Sequence, residues 1–220
     1  MCAATPERVI AYIDGFNLYF GLRAKGFQRY YWLNLQAMLE NLIRPYQKLI
    51  TTKYFTARIS GPHPADKPED AKKMEEKRRR QADFLEAVGT LPNVSIYYGH
   101  YIGGIIQCRN CRHTWPDHEE KMTDVNIATE MLVDSFEDRC DTALLVSADS
   151  DLVPAIRGIK RLFSAKRIVV FFPPGRLSAQ LKFVADEQFT IGRGTLAKSQ
   201  FPDQIIKPDG HVLVRPEKWR

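Results

Sequence analysis

The chain has 220 residues, of which 44% are hydrophobic and 26% charged, and its formal net charge is +6. This composition is typical of a globular protein and excludes disordered, collagen-like and disulfide-rich classes. No apolar run approaches the roughly 18 residues that a membrane span needs, so we expect no membrane partner. The first residues lack the basic-then-apolar pattern of a signal peptide, and the chain has only four cysteines. Both features favour a cytoplasmic location.

Short strand patterns alternate with helical patterns along the chain. In order, we predict a strand over 8–13, helices over 16–25 and 35–43, a strand over 49–59, a helix over 69–88, a strand over 94–102, a helix over 119–136, a strand over 142–146, a helix over 152–163, a strand over 167–172, a helix over 177–184 and an edge strand over 189–191. This alternation is typical of βαβ units. It predicts an α/β fold with a mostly parallel sheet of five or six strands between helices.

The pattern also predicts how the chain is organised. We expect the first five strands to lie in the order third, second, first, fourth, fifth. The periodicity fades after Gly194, and residues 195–220 hold three prolines. We therefore predict one domain over residues 1–194, with an inserted loop at 103–118, and a C-terminal tail over 195–220 packed on that domain.

Four aspartates carry the strongest chemical signal. Asp14 ends the first predicted strand, Asp149 and Asp151 follow the fourth, and Asp124 lies about one turn into the preceding helix. Ligands of parallel α/β sheets bind beyond the carboxyl ends of the strands, so these side chains should converge. Carboxylates at close range protonate, spread apart or bind cations, and oxygen ligands favour Mg²⁺ or Mn²⁺. Taken singly, Asp14 could be a turn former and the Asp149–Asp151 segment a helix cap.

Three segments resemble the motifs of a known family. Residues 12–18 read YIDGFNL, residues 120–128 read EKMTDVNIA, and residues 145–154 read LVSADSDLVP. Together they resemble the ordered motifs of the NYN-domain family, part of the PIN-like nuclease superfamily. Ala148 stands where that family commonly has glycine.

The resemblance implies a Rossmann-like PIN/NYN fold and metal-dependent cleavage of RNA. It implies that Asp14, Asp124, Asp149 and Asp151 form the catalytic metal site, with Asn17 orienting a water or a phosphate oxygen. The leading hypothesis is therefore a divalent-metal-dependent ribonuclease. Two alternatives stay open: an RNA-binding or scaffolding module without catalysis, and a metal enzyme that acts on nucleotides or phosphate esters.

A second group of potential metal ligands lies in the predicted loop. Cys108, Cys111, His113 and His118 offer four soft ligands within eleven residues, a set that could bind a structural Zn²⁺ tetrahedrally. One Cys-x-x-Cys pair is only half of a standard zinc site. The alternatives are a reduced turn without metal, or a site completed by a second chain.

Charge is distributed unevenly. Residues 117–151 hold eleven acidic and two basic residues, a net charge of −9, so the rest of the chain carries +15. A basic surface suits a polyanion, and we expect single-stranded RNA as the partner. The predicted RNA contacts are Lys73, Lys77 and Arg80 on the long helix, and Arg109, Arg112 and Lys121 nearer the aspartates. For the residues of the long helix, the alternative is a solvated helix face with i,i+4 ion pairs such as Glu76–Arg80. The exposed aromatic residues make a homodimer plausible.

Overall fold

A computed structural model describes residues 5–61 and 67–220, without the side chains of 101–106 and 115–120. Its centre is a six-stranded sheet in the order β3-β2-β1-β6-β7-β8, with every pairing parallel. These strands are β1 (Glu7–Asp14), β2 (Gln47–Thr56), β3 (Val94–Tyr98), β6 (Thr142–Val146), β7 (Arg167–Phe172) and β8 (Glu187–Thr190). The α/β class, the parallel sheet and the predicted strand order are confirmed.

Helices cover both faces of the sheet. They are α1 (Gly15–Ala24), α2 (Leu35–Glu40), α3 (Pro68–Gly89), α4 (Thr123–Phe136), α5 (Val153–Leu162), α6 (Ala179–Val184) and α7 (Arg193–Lys198). Successive side chains of a strand point to opposite faces, and β1 shows this directly. Its Val9 and Ile13 enter the core shared with α1, α2 and α3, while Ile10 and Tyr12 enter the core shared with α4, α5 and α6. Among the described residues, no helix is both long and apolar enough to cross a membrane.

A buried ion network holds α4 against the sheet. Lys53 of β2 is only 5% exposed, and its ammonium lies 2.6 Å from carboxylate oxygens of both Glu130 and Asp134. The hydroxyl of Tyr12 donates to Asp134 over 2.6 Å, and that of Tyr97 donates to Glu130 over 3.1 Å. The two acidic residues belong to α4, whereas Tyr12, Lys53 and Tyr97 belong to β1, β2 and β3. The network therefore fixes the position of α4 relative to three strands.

The segment predicted as an inserted loop at 103–118 is instead a β-hairpin. Strands β4 (His100–Gln107) and β5 (Thr114–Lys121) pair antiparallel and lie outside the central sheet. The predicted third strand therefore ends at Tyr98, and the helix predicted from residue 119 begins at Thr123. The charged run at 117–121 looked helical in the sequence. Backbone pairing between two strands does not need apolar side chains, so the hydrophobic pattern did not reveal the hairpin.

The C-terminal residues contain more regular structure than the fading pattern indicated. After α7, strands β9 (Gln204–Ile206) and β10 (Val212–Val214) form a small antiparallel hairpin. Leu196, Phe201, Leu213 and Trp219 join the core on the α1 face of the sheet. The indole of Trp32 also donates to the Pro202 carbonyl over 2.8 Å.

Candidate active site

The candidate site lies at the carboxyl ends of two neighbouring strands. Strands β1 and β6 pair in parallel register with Ile13 beside Val146. Asp14 is the last residue of β1, and Ser147 directly follows β6. The prediction that Asp14 and Asp149 follow adjacent strands is therefore confirmed.

Asp14 is a buried carboxylate with a full set of donors. It is 2% exposed, and it caps α1 by accepting the backbone N–H of Asn17 at 2.9 Å. Its other oxygen accepts the Asn17 amide at 2.5 Å and the Ser147 hydroxyl at 2.9 Å. Burial raises the pKa of Asp14, and these hydrogen bonds pull the pKa back down. The effect of burial is the larger one, so the pKa of Asp14 is raised overall, and the hydrogen bonds hold the carboxyl group in one orientation.

Ser147 connects Asp14 to the loop that carries the next two aspartates. Its hydroxyl donates to Asp14 and accepts the backbone N–H of Asp149 at 3.0 Å. Asp149 in turn accepts the backbone N–H of Asp151 at 3.0 Å and caps a short turn of 3-10 helix. Asp149 is partly buried and Asp151 is exposed. The capping interpretation of this segment therefore holds.

Asp124 approaches from the first turn of α4. Met122, at the N-cap of α4, adopts a left-handed backbone conformation with φ of 79°, and this conformation turns the chain from β5 into the helix. Partial burial raises the pKa of Asp124 to about 6, and the charges of Asp14, Asp149 and Asp151 raise it in the same direction. The four predicted aspartates thus share one electrostatic neighbourhood.

The donor set of this neighbourhood suits a hard cation. It consists of carboxylate oxygens, which Mg²⁺ and Mn²⁺ prefer. Among the side chains that the structure describes, which leave out 101–106 and 115–120, no three of His, Cys, Asp or Glu lie close enough to form a ready metal-binding group. The carboxylate oxygens therefore suit a divalent metal, but the spacing between the side chains is wider than in an assembled coordination site.

Comparison with known proteins identifies the family. The family model described as the NYN domain matches residues 8–192. The chain belongs to the NYN-domain family. A curated relative from Pseudomonas putida (strain DSM 28022 / S16), named 6-hydroxy-3-succinoylpyridine 3-monooxygenase HspA, is 29% identical, and the match covers 97% of this chain and 76% of the relative.

A solved structure shows a similar fold. It is a protein of unknown function from Vibrio parahaemolyticus RIMD 2210633. The two superpose with a TM-score of 0.57 at 19% identity, covering 91% of this chain and all of the other. At this level of identity the likeness concerns the fold alone.

Asn17 and Arg176 form a pair beside Asp14 in this NYN domain. Asn17 is 7% exposed, and its amide nitrogen donates a hydrogen bond to Asp14. Its amide oxygen accepts from the Arg176 guanidinium over 2.6 Å. Asn17 therefore positions two charged side chains in this structure. Sequence reasoning missed Arg176, although a cation just beyond the end of β7, after Pro173-Pro174-Gly175, occupies a place where parallel sheets bind ligands.

The cysteine pair lies at the tip of the β4–β5 hairpin. The Cys108 backbone N–H donates to the His113 carbonyl, and the Arg112 N–H donates to the Cys108 carbonyl. Hydrogen bonds from the backbone of Cys111 and Asn110 lower the pKa of Cys108. Both cysteines are free thiols. The side chain of His118 lies outside the described residues, so the zinc hypothesis for Cys108, Cys111, His113 and His118 stays a prediction.

The predicted RNA-binding residues fall into two groups. On α3, Lys73 is exposed and pairs with Asp70 at 3.2 Å, whereas Lys77 and Arg80 line a cavity beside α1. Arg109, Arg112 and Lys121 belong to the hairpin and are exposed. Arg109 and Arg112 lie in its turn, and Lys121 ends β5 just before α4. The two groups thus lie on different elements of the NYN domain.

Proposed function

We propose that this protein is a divalent-metal-dependent ribonuclease that hydrolyses phosphodiester bonds at its four aspartates. One observation supports the proposal: Asp14 ends β1, Asp149 follows the neighbouring strand β6, and Asp124 lies near enough that partial burial, together with the charges of Asp14, Asp149 and Asp151, raises its pKa to about 6. Crowded like charges are stabilised when a cation binds between them. Membership of the NYN family supports a nuclease-type fold for the same residues.

Each residue contributes a distinct part of the chemistry. Asp14, Asp124, Asp149 and Asp151 would hold Mg²⁺ or Mn²⁺, which when bound neutralises phosphate charge and makes water more acidic. Asn17 and Ser147 donate hydrogen bonds that favour the charged form of Asp14 and orient it. Arg176, held by Asn17, offers a guanidinium for a phosphate oxygen. Water oxygen adds to phosphorus, the bond from phosphorus to O3′ breaks, and O3′ takes up a proton. The products are a 5′-phosphate and a 3′-hydroxyl.

The decisive experiment combines metal removal with an isosteric substitution. Purified protein is incubated with single-stranded RNA and Mn²⁺ or Mg²⁺, and we expect cleavage that stops with EDTA. Asp14→Asn keeps the size of the side chain but removes a ligand charge, so cleavage should fall below detection. RNA binding should persist or tighten, because a repulsive charge near the phosphates has been removed. Asp203→Asn, at a side chain that is 64% exposed and pairs with Arg215, is the matched control.

The same assay separates the alternatives. Wild-type protein that binds RNA without cleaving it under any divalent metal would be an RNA-binding or scaffolding module. Cleavage of a nucleotide or simple phosphate ester, with RNA left intact, would identify a metal enzyme for small phosphate esters. Equal RNA cleavage by wild type and Asp14→Asn would contradict the aspartate site.

The name of the Pseudomonas putida relative raises a second candidate, oxidation of an aromatic ring that carries a carboxylate. The observation that favours it is a cavity beside Asp14 with both aromatic and cationic walls. A monooxygenase consumes one O₂ and two reducing equivalents for each product formed. Oxygen uptake with 6-hydroxy-3-succinoylpyridine and a reduced nicotinamide, with and without added flavin, tests this candidate directly.

A further inference from the structure

A cavity of about 390 Å³ lies between α1, α3 and the C-terminal segment. This volume is within the range of about 300–1,000 Å³ that is usual for small-ligand pockets. Gly15, the residue after Asp14, forms part of its wall. The cavity is therefore next to the aspartates but separate from them.

Aromatic side chains form much of the cavity wall. Tyr19 contacts Tyr31 with ring centres 5.1 Å apart, and Tyr31 contacts Trp219 at 5.7 Å. Phe20 packs edge-on against Tyr19 at 5.3 Å and is 41% exposed. Phe84 closes the far side against Trp219 at 6.4 Å. Such an arrangement offers flat apolar surfaces to a planar ring.

The cavity is also cationic. Arg23, Lys77, Arg80 and Lys218 line it, and no Asp or Glu occurs among its lining residues in the part of the chain described. Burial lowers the pKa of Lys77, and the nearby charges of Arg23 and Arg80 lower it further. Arg80 lies 3.6 Å from Glu76, which is exposed and is not part of the lining. A cavity wall with several cationic side chains and no acidic one attracts an anion.

The cavity and the aspartates share the start of α1. A Cβ at Gly15 would lie 2.6 Å from the Tyr54 hydroxyl and 2.7 Å from the Phe55 carbonyl, so only glycine lets β2 approach here. Arg176 donates to Asn17 and lies 6.0 Å from the centre of the Phe20 ring. Arg176 therefore connects the aromatic wall of the cavity with Asn17, which in turn donates to Asp14.

We propose that this cavity binds the base of one unpaired nucleotide in the nucleic acid that is cut at the aspartates. The base stacks on the aromatic wall, and the phosphates beside it contact Lys77, Arg80 and Arg23. A stacked base is sequence-tolerant, whereas the phosphate contacts make binding sensitive to salt. This inference rests on the proposed function and adds to it a specificity for single-stranded nucleic acid. A base must leave its helix to enter the cavity, so the substrate is single-stranded.

The test measures binding of a fluorescently labelled single-stranded hexanucleotide in EDTA, where no cleavage occurs. Phe20→Leu keeps an apolar side chain but removes the stacking ring, and we expect affinity to fall about tenfold. Lys77→Ala should weaken binding several-fold and reduce its salt dependence.

Phe183→Leu and Arg79→Ala are matched controls. Phe183 is an 85% exposed aromatic on α6, and Arg79 is an exposed cation of α3 outside the cavity lining. Both should bind like wild type, and a duplex of the same sequence should not compete.

The outcomes distinguish this inference from the proposed nuclease. Unchanged affinity in folded Phe20→Leu and Lys77→Ala, with normal RNA cleavage, would overturn the base pocket and leave the nuclease intact. Selective loss of affinity in both variants, with no cleavage by wild type in any metal, would support the pocket and reject the nuclease. Displacement of the hexanucleotide by 6-hydroxy-3-succinoylpyridine but not by nucleoside monophosphates would overturn the pocket in favour of an aromatic acid. Melting temperatures equal to wild type establish that the variants are folded.

Discussion

Single residues at the candidate site have roles that reach beyond their own charge. Ser147 is fully buried and both donates to Asp14 and accepts from the backbone of Asp149. It therefore keeps two aspartates of different strands in a fixed relation. Asn17 likewise donates a hydrogen bond to Asp14 and accepts one from Arg176. These two polar residues determine how the charged ones are presented.

Ser147→Ala tests this role. The substitution removes one hydrogen bond to the charged form of Asp14, so the pKa of Asp14 should rise and metal should bind less well. A net contribution of about 1 kcal/mol per hydrogen bond corresponds to a roughly fivefold higher Mn²⁺ concentration for half-maximal cleavage. Ser135→Ala is the control, because Ser135 is also buried but donates to the Met131 carbonyl within α4. The same Mn²⁺ requirement in both variants would contradict the role assigned to Ser147.

At the scale of elements, part of the acidic block is structural. Glu130 and Asp134 pair with Lys53, and Asp138 and Asp141 pair with Arg8 at 3.2 and 2.7 Å. The concentration of acid over residues 117–151 therefore has two causes. Some carboxylates fasten α4 and the start of β6 to the rest of the fold, and others form the candidate site.

Lys53→Met tests the anchoring of α4. The substitution leaves Asp134, which is fully buried, without its ammonium partner. Losing one member of a buried pair costs about 3–5 kcal/mol of unfolding free energy. Lys160→Met is the control, since Lys160 pairs with Asp186 at the surface, where such pairs contribute about 0–1 kcal/mol. Chemical denaturation of the three proteins gives the comparison. A loss of less than 1 kcal/mol for Lys53→Met would refute the anchoring role.

At the scale of the whole molecule, the aspartate cluster couples stability to pH and metal. The pKa of Asp124 is raised to about 6 in the folded state, and that of Asp14 is raised as well. A carboxyl group with a raised folded-state pKa favours folding at low pH, and this contribution is lost as pH rises through the folded pKa. Asp138, Asp141 and Asp186 have lowered pKa values and act in the opposite direction. Comparison with a variant is therefore needed to isolate the cluster.

Asp124→Asn provides that comparison. In EDTA, the variant should match wild type near pH 4 and become more stable by about 1–2 kcal/mol at pH 8, because only the wild type then carries a charge that is partly desolvated and is repelled by the other aspartates. Millimolar Mn²⁺ should shrink the difference or reverse it, since the cation stabilises the wild-type cluster. Urea denaturation at each pH gives the free energies of unfolding. A difference that does not change with pH would show that repulsion among the aspartates is negligible.

Local patterns in the sequence were sufficient to predict the α/β class, the order of the strands and the placement of Asp14 and Asp149 at the ends of neighbouring strands. These features follow from local patterns, because a short apolar run ended by Asp-Gly or Ser-Ala-Asp marks both a buried strand and its carboxyl end. The sequence also singled out Asp124, although its helix begins four residues later than predicted.

The surroundings of that site could not be predicted, because they depend on contacts between distant parts of the chain. The β4–β5 hairpin depends on backbone pairing, which leaves little trace in hydrophobic periodicity. The cavity wall brings together Tyr19, Tyr31, Phe84 and Trp219 from distant parts of the chain. Tyr97 of β3 likewise stacks on Phe55 of β2, with ring centres 4.9 Å apart. Contacts between residues far apart in sequence arise from how the helices and the C-terminal segment pack on the sheet, and no local pattern records that packing.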